Sequence, residues 1–114
     1  LMVTAFGKFC RKLRIDKGEL LFDMAEKLDV STAFLSKVEN GRRKPPEEWE
    51  DKIIELYNLE GNRKSEFEDC FFRAKNADSI DIRNYDDENK NLMLSFARKF
   101  ETLDKEALRK MLDE

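Results

Sequence analysis

The stretch Leu28–Pro46, "LDVSTAFLSKVENGRRKPP", passes from helix-spaced apolar residues through a glycine to three cations in a row and two prolines. Ser31 is placed to cap a helix, its hydroxyl accepting from an amide that no preceding turn can satisfy. Leu35 and Val38 fall on one side of that helix, and Val30 joins them from the turn before it. With that side turned inward, Thr32, Ala33, Ser36 and Lys37, at i, i+1, i+4 and i+5, share the opposite face. Gly41 then supplies the left-handed conformation that closes a last helical turn. Arg42, Arg43 and Lys44 follow at once, in a chain whose total charge is −3.

Upstream, Thr4 can cap a first helix in which Phe6, Phe9, Cys10 and Leu13 form one apolar stripe ending near Gly18. A second, short helix lies in "LLFDMAEKLD", where Leu21, Met24, Ala25 and Leu28 share a face and Asp29 takes the turn. Downstream, Pro46 with Glu47 and Glu48 is expected to start a fourth helix that turns Trp49, Ile53, Leu56 and Tyr57 inward. Ser65 and Glu68 have capping-box spacing before a fifth stripe of Phe67, Cys70, Phe71 and Ala74. The period then changes. In "SIDIRN", Ile80 and Ile82 alternate with Asp81 and Arg83, which predicts a short strand over Ser79–Asn84. A lone strand needs a partner, either elsewhere in the chain or from a second copy, and the sequence offers no second candidate. Beyond it, Leu92, Phe96, Phe100 and Leu103 line one side of a sixth helix, and Asp104 caps a last one carrying Leu108, Met111 and Leu112.

Composition narrows the chemistry. A chain of 114 residues supports one compact core with an appendage. Its sequence holds no histidine, which excludes Ser-His and Cys-His nucleophile pairs and histidine metal ligation. The four glycines show no phosphate-cradling spacing. Cys10 and Cys70 are too far apart to read as a metal knuckle and sit among apolar residues, so both are expected as buried thiols. No enzyme, metal or cofactor is expected. With 41% charged residues, no apolar run long enough for a bilayer and no leader-like features in the opening "LMVTAF", a cytoplasmic protein without membrane association is the expectation. Charge is unevenly shared. Residues 1–46 hold ten Lys/Arg against six Asp/Glu, leaving twelve against nineteen for residues 47–114. The acidic total therefore hides a basic amino-terminal face, where attraction to nucleic acid would act.

Three segments together, "LR" at Leu13–Arg14, "DMAEKLDVS" at Asp23–Ser31 and "LSKVENGRRKP" at Leu35–Pro45, resemble the helix-turn-helix of the Cro/repressor (XRE) family over roughly Phe6–Leu59. The resemblance covers about half the chain. It implies an all-α, lambda-repressor-like DNA-binding domain of five helices over residues 1–76. Residues 77–114, the short β-strand and two C-terminal helices, are left as a dimerisation segment. It also implies that the third helix reads a major groove: Thr32 and Ala33 suit thymine methyls, Ser36 and Lys37 suit base edges, and Ser31 stands at the helix start. Phe34 is open between the edge of the core and the sugar-phosphate backbone. Asn40, Arg42, Arg43 and Lys44 occupy the segment that follows the phosphates in the family, and phosphate contacts position a protein without reading sequence. Arg14 and Glu39 occupy positions that pair internally in family members and are read as structural. Two departures stand out: Leu20 and Leu21 replace the usual cap and the glutamine that reaches a phosphate, and Asp29 replaces the usual turn glycine.

One short recognition helix touches few base pairs, so related repressors bind two half-sites as dimers. Ile80, Ile82, Phe96 and Phe100 are the surplus apolar residues suited to a homodimer; the alternative is that the last two helices cover the first domain. The expected function is a dimeric, sequence-specific repressor of its own operon, bound to double-stranded DNA. The alternative is an antitoxin whose acidic carboxy-terminal third sequesters a basic toxin protein, with DNA binding serving autoregulation.

Overall fold

Several helix starts coincide with side chains able to satisfy them. In the computed structural model, which describes residues Val3–Asp113, Thr4 Oγ1 accepts from the Gly7 amide at 3.0 Å and opens α1, Ala5–Lys17. Leu20 has no side-chain acceptor; instead the Asp23 carboxylate takes the Leu20 amide at 2.8 Å at the start of α2, Leu21–Lys27. Ser31 Oγ accepts from Phe34 at 3.0 Å ahead of α3, Thr32–Glu39. Helices α4, Trp49–Leu56, and α5, Gly61–Lys75, follow. Asp86 accepts from the Asn89 amide to open α6, Asp87–Lys99, and Asp104 accepts from Glu106 and Ala107 to open α7, Lys105–Asp113. A 3₁₀ turn at Phe100–Thr102 continues α6.

The chain divides into two compact units, residues 1–80 and 81–114. In the first, α1 packs on α3 and α5, α2 on α3, and α4 on α5. Their stripes meet in one core, as the spacing predicts: Phe6, Cys10 and Leu13 from α1, Leu35 and Val38 from α3, Trp49 and Ile53 from α4, Phe67 and Phe71 from α5. Phe6, Phe9, Phe67 and Phe71 form a cluster with ring centroids 5.4–6.1 Å apart, offset or edge-on, a geometry that stabilises beyond area burial alone. Both thiols are buried there.

Three expectations are corrected. Pro46 does not start α4; Pro46–Glu48 form a turn whose carbonyls receive Trp49 and Glu50, and the helix begins at Trp49. Leu56 consequently lies at the surface while Leu59 is buried. Helix α5 begins at Gly61, directly after the anchored Leu59, so Ser65 and Glu68 are exposed interior positions and form no capping box. No strand occurs among the described residues. Over 79–84, Asp81 accepts from both the amide and the guanidinium of Arg83, and Tyr85 closes a turn on the Ile82 carbonyl. Two adjacent opposite charges thus satisfy each other locally, and the alternating pattern has no ladder to join.

The second unit comprises α6, the 3₁₀ turn and α7. The rings of Phe96 and Phe100 meet edge to face at 5.8 Å, and Lys105 sits 4.4 Å from the Phe100 ring centre and donates to the Phe100 carbonyl. None of its described side chains is buried, and Leu92, Phe96, Met111 and Leu112 are all exposed. Among the described residues, no helix is long and apolar enough to cross a membrane.

Candidate nucleic-acid interface

Leu35 and Val38 are fully buried and fix the rotation of α3. Its height over α1 is set by the backbone. The Glu39 carbonyl accepts from both the amide and the hydroxyl of Thr4, each at 3.0 Å, and it lies close to where a side chain on Gly7 would begin. The Glu39 carboxylate turns inward and receives Arg14 through two guanidinium nitrogens at 2.5 and 3.0 Å, with Arg11 at 3.8 Å on the outside. Burial works against the Arg14 charge, but the bonds and charge of Glu39 outweigh it and leave its pKa raised. This is the internal pair implied by the resemblance.

A second polar cluster holds α2. Glu19 pairs with Lys27 and accepts from the Tyr57 hydroxyl at 2.7 Å, while Lys27 lies 5.1 Å from the Tyr57 ring centre. Partial burial pushes Glu19 upward, yet its bonds to Lys27 and Tyr57 prevail and hold its carboxyl below the usual range. Burial, and then the same bond, raises Tyr57. Between α2 and α3, Asp29 adopts φ 58°, in the left-handed region that a glycine would take without strain.

The outward side of α3 leaves Thr32, Ala33 and Lys37 exposed, with Ser36 half-buried and receiving Asn40 Nδ2 at 3.4 Å. Ser31 is exposed, but its hydroxyl already serves the cap. Phe34 belongs to the core edge: its ring stands edge-on to Trp49 at 5.8 Å. Arg43 rests over that ring, 5.4 Å from its centre, so a core aromatic orients a loop cation. The loop is further held by Gly41 at φ 77° and by the Arg42 amide reaching back to the Lys37 carbonyl at 2.8 Å. Lys44 is drawn off to Asp78 at 3.1 Å, an exposed pair.

Thr32, Ala33 and Lys37 on α3 and Arg42 and Arg43 in the loop are all exposed, whereas Ser31, Phe34 and Lys44 each have a structural engagement. Gly7 was not legible as part of this arrangement, although a glycine inside an apolar stripe costs about 0.5–1 kcal/mol against alanine and so hints at a close backbone approach. Arg73, near the end of α5, shares a cleft with the loop cations and carries no local sequence signal. Chemically, the face offers methyls, one ammonium and two guanidiniums. Comparison with family models, with curated proteins and with solved structures gives no match for this chain.

Proposed function

We propose that this chain is a sequence-specific DNA-binding transcriptional regulator of the helix-turn-helix, lambda-repressor-like type, acting as a homodimer that represses its own operon. Helices α2 and α3 are the helix-turn-helix, and α3 is the reader. One observation carries the reading: Thr32, Ala33 and Lys37 of α3 are exposed, the loop that follows is tied back to Lys37 through the Arg42 amide, and the exposed Arg42 and Arg43 it carries pair with no carboxylate among the described residues. Unpaired cations beside a helix face of methyls and donors fit a duplex, where phosphates take the cations and base edges meet the helix.

The second unit supports the homodimer. Its Leu92, Phe96 and Phe100 stay exposed although the two rings touch each other. Helix α6 begins with Asp87 and Glu88 and ends with Arg98 and Lys99, so two copies packed antiparallel about a two-fold axis would set opposite charges side by side. The antitoxin reading gains less. Residues 81–114 hold nine Asp/Glu against seven Lys/Arg, whereas residues 47–80 hold ten against five, so the acidic surplus lies mainly before the carboxy-terminal third.

Selection from a random duplex library, followed by fluorescence anisotropy on the enriched sequences, tests the proposal. The expected result is an inverted repeat with half-sites about one helical turn apart, bound far more tightly than mixed-sequence DNA. A library that stays unenriched after repeated rounds overturns it.

A further inference from the structure

We propose that the cleft bounded by the first turn of α1, the loop after α3 and the end of α5 binds a small molecule with an apolar body and an anionic head, and that its occupancy weakens DNA binding. The second half rests on the DNA-binding reading; the first does not.

The cleft measures about 430 Å³, within the range of small-molecule sites. Its inner wall is apolar, formed by Phe6, Val38, Cys70 and Ala74. Its rim carries Arg42, Arg43, Lys44 and Arg73, against a single carboxylate, Asp78, which is already engaged by Lys44 at 3.1 Å. Arg73 holds Asp69 on its own helix, while Arg42 and Arg43 have no acidic partner among the described residues. An apolar recess ringed by cations of one sign selects for amphipathic anions: the body leaves water and the head meets guanidiniums that otherwise lack a counter-charge. A neutral apolar molecule would forgo the rim, and a bare inorganic anion would forgo the wall.

The coupling follows from shared residues. Arg42 and Arg43 are the cations assigned to DNA phosphates, and both border the cleft. An anionic head held there neutralises the charge a phosphate would use, so each ligand lowers the affinity of the other by the same factor.

Titration of the full-length, ¹⁵N-labelled protein with decanoate below its micelle concentration, read from amide chemical shifts, tests the site. Saturable shifts are expected at Gly41, Ala74 and Ala77. The exposed Ala77→Trp change, which narrows the mouth without touching the core, and the replacement of decanoate by 1-decanol should each weaken binding about tenfold. Arg73→Ala should weaken decanoate as well, and inorganic phosphate should leave Ala74 unmoved. Shifts confined to residues 92–112, or binding indifferent both to Ala77→Trp and to loss of the carboxylate, overturn the site. With a mixed-sequence duplex at low salt, saturating decanoate should weaken DNA binding about fivefold in the natural protein and leave Ala77→Trp unaffected. Bound decanoate without that loss overturns the coupling alone. A protein that binds no duplex even without decanoate overturns the DNA reading and the coupling with it, and the amide shifts still decide the cleft.

Discussion

The carbonyl oxygen of Glu39 lies 2.3 Å from where the first side-chain atom of any residue but glycine at position 7 would sit, so α1 and α3 meet backbone to backbone. Gly7→Ala would gain helix propensity of under about 1 kcal/mol and force apart two elements that share four further contacts through Thr4 and Arg14. Overpacking of this kind costs about 1–3 kcal/mol. The variant is expected to unfold at lower urea with an unchanged slope; a stabilised variant would show that the helices are not so closely held.

Glu39→Ala removes the partner of a buried guanidinium. Breaking such a pair costs on the order of 3–5 kcal/mol, because Arg14 is left charged and unmatched. Urea denaturation is expected to register that loss, with the sequence preference on DNA retained in whatever fraction stays folded. Altered preference at full stability would move Glu39 from scaffold to reader.

On DNA, the loop and the helix should separate by their salt behaviour. Arg42→Ala and Arg43→Ala are each expected to lower the salt slope by about one and to weaken all sequences alike. Lys37→Ala is expected to cost about 1–3 kcal/mol on the selected sequence and less on random DNA. Equal losses on both DNAs for all three variants would leave Lys37 as one more phosphate contact.

For the homodimer, Phe96→Glu and Phe100→Glu each place a carboxylate on an exposed apolar face of the second unit. Sedimentation is expected to show dissociation to monomer, and affinity for a two-half-site duplex should drop while affinity for one half-site persists. A dimer that survives both changes lies on another surface.

Acid should act through Glu19. Its folded pKa lies below the usual carboxylate value of about 4.3, so the unfolded chain takes up the proton more readily. Its contribution is present above the unfolded value and is lost as pH falls through the folded one. Between about pH 5 and pH 3 the urea midpoint of the natural protein is expected to fall more steeply than that of Glu19→Gln. Parallel curves would assign acid sensitivity to other carboxylates.

Helices α1 and α3 were the most legible because each has a cap residue and a stripe of matching period, Thr4 with Phe6 to Leu13 and Ser31 with Leu35 and Val38. The start of α5 was not, since Ser65 and Glu68 have capping-box spacing but the chain is already anchored upstream by buried Leu59. The alternation at Ile80 and Ile82 is a statement about side chains, and a strand also needs a neighbour for its backbone, which a single sequence does not supply. Of the candidate face, the exposed side of α3 followed from its buried side. The stacking of Arg43 on Phe34 and the gathering of Arg73 beside the loop did not, because both depend on how α4 and α5 close over the first three helices.

Cys10 is wholly buried on α1 and Cys70 nearly so on α5, and burial raises both thiols, Cys70 to about 11. A thiol that is neutral and enclosed reacts with an alkylating reagent only when its surroundings part. Cys10 therefore keeps time for the interior: labelling at its sulfur counts how often α1 parts from its neighbours, while Cys70, in the wall of the cleft, reports access through it, with no probe added to the chain.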